Sequence, residues 1–163
     1  MQCKTPPDTM NSPICLDTNF LVGLFDESDV WHHRARDIYL LLRENHVEVV
    51  YLDCVLNELF TVLARRCREQ GRIEAFPYFI EQISQTIPDT AITWVYPHLP
   101  RWYNRCLGVM QETRGQLNFH DALIAVAIQE MNFAALVSFD AGFDQLPEVN
   151  RLDSPDEVLA WLK

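Results

Sequence analysis

Apolar positions in this chain come in short runs, and their spacing switches repeatedly between a strand-like and a helix-like period. Residues 14–16 predict a short buried strand, which ends at Asp17-Thr18-Asn19 before an apolar helix over 20–25. A loop opens at Glu27-Ser28-Asp29, and a helix over 31–45 follows, with Ala35, Ile38, Tyr39 and Leu42 on one face. Residues 47–52 predict a second strand. The clearest helical pattern runs over 54–70, where Leu56, Leu59, Phe60, Leu63 and Cys67 recur on one side and Gly71 supplies a stop. A helix over 74–86, distorted at Pro77, leads to a third strand over 92–95 and a helix over 99–113 broken by Gly115. Residues 119–131 are apolar on nearly every side, which marks a central, buried helix introduced by Asn118. A fourth strand over 135–138, a loop at 140–144 and a fifth strand over 149–152 precede a last helix, with Ser154-Pro155 and Glu157 forming a capping box.

Strands alternating with helices predict an α/β protein, with helices on both faces of a central, mainly parallel five-stranded sheet. Residues 14–163 are expected to form a single domain and residues 1–13, with three prolines and no periodicity, an irregular leader. The apolar runs are too short and too often broken for a membrane-spanning helix, and no secretory signal is visible. A soluble, cytoplasmic protein is expected. At 48% hydrophobic residues over 163 positions, there is material for one real core and no case for disorder. Five cysteines, an odd total without a CxxC pair, argue against a zinc-finger or disulfide framework; Cys15, Cys54, Cys67 and Cys106 read as small core residues. The adjacent His32 and His33 read as helix surface.

The net charge of −10 argues against purely electrostatic binding of nucleic acid. Eleven of the 13 basic residues are arginines, and Arg65, Arg66, Arg68 and Arg72 fall together. They suit either a helix C-terminus, through the macrodipole, or a phosphate-contacting patch that binds RNA.

Four acids at the edges of apolar segments change the picture: Asp17, Glu58, Asp121 and Asp140. Each has an ordinary explanation. Asp17 can cap a helix, Asp140 can sit in a turn, Asp121 can favour a helix dipole and Glu58 can face solvent. The expected topology, however, would gather them at one end of the sheet, at the switch in strand order where open α/β sheets bind ligands. Grouped carboxylates repel one another unless a hard divalent cation, Mg²⁺ or Mn²⁺, neutralises them. Thr18 and Asn19 are placed to steady the carboxylate of Asp17 or a metal-bound water, and Asp144 is a candidate fifth acid. The chemistry expected of such a set is metal-dependent phosphodiester cleavage.

The segments ICLDTNFLVGLF, DVWHHRA, LNELFTVL, LNFHDALIAVAI and LVSFDAGFDQLP, in this order and spacing, resemble PIN-domain proteins, most closely the VapC-type toxin ribonucleases of toxin–antitoxin pairs. The resemblance covers residues 13–152. It implies a PIN-like α/β/α fold whose acids hold one or two Mg²⁺ or Mn²⁺ ions. Asp17 corresponds to the first-strand acid, Glu58 to the helix glutamate, Asp121 to the acid opening the central helix and Asp140 to the acid after the fourth strand. Thr18 takes the small hydroxyl position beside the first acid. The implied activity is endoribonucleolytic, with an RNA substrate, an antitoxin protein as partner and a homodimer as assembly. Two other classes compete: a noncatalytic PIN-like binding module, and a haloacid-dehalogenase-type phosphatase, which wants a second acid where Asn19 stands.

Overall fold

A computed structural model describes residues 12–163. Among them, short strands alternate with helices: β1 (Ile14–Leu16), α1 (Thr18–Phe25), α2 (His32–Glu44), β2 (Val49–Leu52), α3 (Asp53–Glu69), α4 (Phe76–Thr86), β3 (Ile92–Thr93), α5 (Leu99–Glu112), α6 (Phe119–Met131), β4 (Ala135–Val137), β5 (Arg151–Leu152) and α7 (Pro155–Trp161). The sheet order is β3-β2-β1-β4-β5, and every pairing is parallel. β1 and β4 are buried at every residue, as strands covered on both faces must be. On one side α1 packs against α2, α3 and α4, and α7 packs against α2; α5 and α6 pair with each other. No helix among the described residues is long and apolar enough to cross a membrane.

Consecutive strands run outward from β1 to β3, and the chain then returns to lay β4 against the free edge of β1. The strand order therefore reverses between β1 and β4, and a crevice opens beyond their C-terminal ends. α6 makes that return possible. Its residues from Ala122 to Ile128 are all buried, so it fills the interior on every side. It starts on a capping box: the Asn118 side chain accepts from the Asp121 backbone N–H, and the Asp121 carboxylate accepts from that of Asn118.

Several elements are shorter than their apolar runs. Only Ile92 and Thr93 of the expected 92–95 strand pair with β2, because the backbone N–H groups of Val95 and Tyr96 donate to the carboxylate of Asp53 instead. The expected 149–152 strand is reduced to Arg151–Leu152, since the N–H of Val149 turns back to Leu146. Val47 closes the end of α2 through Leu42 before β2 begins at Val49. Pro77 lies in the first turn of α4, where its missing N–H costs nothing. Ser154 caps α7, but the Glu157 carboxylate reaches Asp153, one residue before the cap. Cys15, Cys54, Cys67 and Cys106 are free and buried. His33 is exposed, whereas His32 contacts the carbonyl of Gly23 through Nδ1. Cys3 and nearly all of the expected leader lie outside the described residues.

Candidate active site

Asp17, Thr18, Asn19, Glu58, Asp121 and Asp140 line one open cleft of about 450 Å³ at the β1/β4 crevice. β1 delivers Asp17 and the segment after β4 delivers Asp140. Glu58 lies in the second turn of α3 and Asp121 in the first turn of α6. Four segments far apart in sequence thus bring their acids to one place.

Asp17 is the deepest of them, 4% exposed. Its Oδ1 accepts from the N–H of Thr18 at 2.7 Å and its Oδ2 from Ser138 Oγ at 2.6 Å. Burial, reinforced by the neighbouring Asp121 and Glu58, raises its pKa from 3.8 to about 6 against the opposing pull of those hydrogen bonds. Burial, with Asp140 and Glu58 nearby, likewise raises that of Asp121. Glu58 is moved the other way, chiefly by His120, whose Nε2 stands 2.9 Å from Glu58 Oε2, and by the Thr18 hydroxyl, which donates to the same oxygen at 2.8 Å. The His120 contact is short but not aligned as a hydrogen bond; it is an ion pair when the imidazole is protonated. Burial alone would depress the pKa of His120; the surrounding acids Glu58, Asp17 and Asp121 outweigh it and raise it.

Asn19 ties the two central strand ends together. Its Oδ1 accepts from the N–H of Phe139 and its Nδ2 donates to Ser138 Oγ. Ser138 also accepts from the N–H of Asp140, so one hydroxyl links Asp17, Asn19 and Asp140. Asp140 holds its own turn through Oδ1, which accepts from the N–H of Gly142 at 2.7 Å. Gly142 is required here for closeness: an added Cβ would lie 3.0 Å from Asp140 Oδ1 and 2.9 Å from Leu117 Cδ2. Gly142→Ala is expected to turn the Asp140 carboxylate and destabilise the fold by about 1–2 kcal/mol. Urea denaturation of the two proteins checks it.

The other sequence candidates are placed differently. Asp144 is outside the cleft, exposed and paired with Arg151, which lowers its pKa. The four arginines do not form one free patch. Arg66 is held by Asp29 at 2.6 Å and Asp26 at 3.4 Å, and Arg72 by Asp26 at 3.2 Å. Arg65 and Arg68 are exposed, with Arg65 close enough to favour the charged form of Glu58. Ser138 and His120 were not singled out by the sequence, although a hydroxyl ending an apolar strand and a histidine beside an acid are the marks they left there.

The donor set is made of oxygens. Glu58, Asp121 and Asp140 each have one oxygen engaged as described, leaving the second without a hydrogen bond among the described residues. Among those residues, no three His, Cys, Asp or Glu side chains are drawn together into a finished metal site. Separated carboxylates around an open cleft still fit a small hard cation, because Mg²⁺ keeps several waters and needs only one or two carboxylates.

The sequence matches the PIN domain family over residues 14–149. The chain belongs to the PIN domain family. No curated protein matches it. This PIN domain is similar in structure to VapC20 of Mycobacterium tuberculosis, described as a toxin that cleaves the sarcin–ricin loop. The TM-score is 0.63 at 18% identity, over 82% of this chain and 95% of that one. That likeness is one of fold.

Proposed function

We propose that this PIN domain is a metal-dependent endoribonuclease that hydrolyses RNA phosphodiester bonds and serves as the toxin of a toxin–antitoxin pair. The observation that carries the reading is the gathering of Asp17, Glu58, Asp121 and Asp140 around one cleft at the switch point of a PIN sheet. The described action of VapC20 on RNA supports the substrate class and the toxin role. An antitoxin segment as inhibitor and a homodimer as working assembly are parts of the same proposal.

Asp17, Asp121 and Asp140 would hold Mg²⁺ or Mn²⁺, with Glu58 at the margin. Such an ion lowers the pKa of water and neutralises charge on the phosphate. The protein's own part is orientation. Thr18 and Ser138 fix the rotamer of Asp17, and Ser138 and Asn19 lock Asp140 to the same strand ends. Glu58, held through one oxygen by Thr18, presents its other oxygen to orient water or take its proton. Asn19 is fully occupied in this scaffold, which leaves no second acid for a phosphatase-type nucleophile at Asp17.

The test is a mixed RNA pool incubated with purified protein and Mn²⁺, Mg²⁺ or EDTA. Cleavage that needs metal is the expected result. Intact RNA with folded protein shown to bind metal would instead favour a noncatalytic binding module.

A further inference from the structure

Asp140 reaches the cleft on a stretch of chain that has already left the sheet. β4 ends at Val137, and the backbone runs through Ser138, Phe139 and Asp140 into a 3₁₀ turn over Ala141–Gln145. Such turns are uncommon beyond three or four residues, because their hydrogen bonds are poorly aligned. Phe143, fully buried, anchors the middle of this one. Its two flanks are held by a residue of β5. Arg151 donates through Nη1 to the carbonyl of Ser138 at 3.1 Å, on one side of Asp140. On the other side, its Nε and Nη2 donate to the two oxygens of Asp144 at 2.7 and 2.8 Å.

This bridge differs from an ordinary surface ion pair. The Arg151 side chain is only 10% exposed, against 55% for Asp144 and 32% for Asp153, so the guanidinium lies beneath its acids. All three of its nitrogens are engaged, since Nη1 also donates to Asp153 at 2.7 Å. The fork on Asp144 is bidentate, which fixes direction as well as distance. β5 grips the backbone of Ser138 twice, because the Ser138 N–H donates to the carbonyl of Leu152 at 3.1 Å. From that fixed backbone the Ser138 hydroxyl meets Asp17 and the N–H of Asp140. The Asp140 carboxylate accepts the N–H of Gly142, two residues before Asp144. Arg151 does not line the cleft, and its charge is taken up by Asp144 and Asp153 instead of by the acids there.

We propose that Arg151 is a positioning residue: by bridging Ser138 and Asp144 it sets the path of the backbone that presents Asp140 to the cleft. Asp144 then serves the site from outside it, as the far anchor of that bridge. Carboxylates around a hard cation depend on outer partners that hold them in the binding geometry, and losing such a partner weakens metal affinity. The inference rests on the metal-dependent ribonuclease reading for what Asp140 does once it is held, and on the hydrogen bonds alone for the holding.

The experiment compares wild type with Arg151→Gln, with Asp144→Asn, which removes the fork from its exposed end, and with Arg105→Gln, which removes the Arg105–Glu130 ion pair elsewhere on the surface. Amide hydrogen exchange followed by NMR in EDTA reads the holding without any metal. Arg151→Gln should speed exchange at the Asp140 and Gly142 amides by about tenfold more than at the Ile124 amide in α6, the mark of a local opening. Titration with Mn²⁺ alone then reads the consequence: binding should weaken by about tenfold in Arg151→Gln, by less in Asp144→Asn and not at all in Arg105→Gln. Circular dichroism shows that each variant is folded, and Asp144→Asn carries the test if Arg151→Gln is not. Unchanged exchange at Asp140 and Gly142 in the folded variants overturns the bridge. Faster exchange with unchanged Mn²⁺ affinity overturns the positioning role and leaves Arg151 holding a surface turn. Wild-type protein that binds no Mn²⁺ removes the metal reading of the cleft, and the exchange rates by themselves then uphold or overturn the bridge.

Discussion

Asp17→Asn should reduce metal-dependent RNA cleavage by about a hundredfold or more and, in the absence of metal, make the protein more stable. Both effects come from one fact: Asp17 carries its charge where water cannot solvate it. The loss of activity reflects the several kcal/mol that a correctly held cation supplies at the transition state, with each factor of ten worth about 1.4 kcal/mol. The gain in stability follows from the pKa, raised from 3.8 to about 6 by burial and by the other acids. Over that interval the native state holds a proton that the unfolded chain releases, so stability falls as pH rises from about 4 to about 6 and the penalty is complete above it. The shift corresponds to about 3 kcal/mol. Asn removes that penalty but offers Ser138 a donor in place of an acceptor, which leaves a net gain of about 1–2 kcal/mol. Urea denaturation of both proteins from pH 4 to 8 in EDTA measures it. The difference between them should be small at pH 4, grow towards pH 6 and then level off; adding Mg²⁺ should stabilise only the wild type. A difference that does not change with pH would show that Asp17 is not charged at a cost.

Asp26→Ala should be the most destabilising surface-distant change, at about 2–4 kcal/mol. Asp26 is buried, with two arginines, each about one-third exposed, closing on it from α3 and from the turn beyond it. Removing the acid takes from Arg72, whose Nε is already unpaired, its carboxylate partner and leaves Arg66 with Asp29 alone, the costly way to break a buried ion pair. Partial exposure of the arginines keeps the loss below that of a fully enclosed pair. Burial works to raise the pKa of Asp26, but Ser28 and Arg72 outweigh it and the net shift is downward. Its contribution is therefore present above the unfolded value of 3.8 and lost as pH falls through the lower native one. Thermal unfolding at pH 7 checks the magnitude. Because the same ion pairs hold the 26–31 turn, RNA cleavage by the folded variant should also fall, with the larger change in KM.

The elements that were legible in the sequence share a physical trait: their signals are local. α6 is bounded in the structure as its pattern predicts, because Asn118 caps it and every face is apolar. β1 and the stripe on α3 were equally plain. What the sequence overstated were strands whose backbone hydrogen bonds are taken by something distant. Apolar spacing cannot show that the Asp53 carboxylate, 42 residues away in sequence, captures the N–H of Val95. The site behaved alike. Asp17, Asp121 and Asp140 stand out as candidates because each ends or begins an element; Glu58, with the weakest signal of its own, is picked out only by the order of the set and by the family resemblance. The arginine cluster could not be interpreted, since its partners Asp26 and Asp29 come from the other end of a helical pair. Ser138 was invisible for a related reason, as its importance lies in its contacts with Asp17 and Asn19, which only the folded sheet brings to it.

The distance in sequence from Asp17 to Asp140 also sets when a cleft can exist. β4 pairs with β1 across more than a hundred residues, and both Ser138 and Asp140 arrive with it. During synthesis, at about 5–20 residues per second, α1 to α5 can collapse while the fourth wall of the cleft has yet to be made. For the proposed ribonuclease this means that the growing chain has no complete cleft for most of its own translation, while it is surrounded by RNA. Emergence of β4 is the step that would assemble it, and a truncation anywhere before β4 would leave Ser138 and Asp140 out of the cleft.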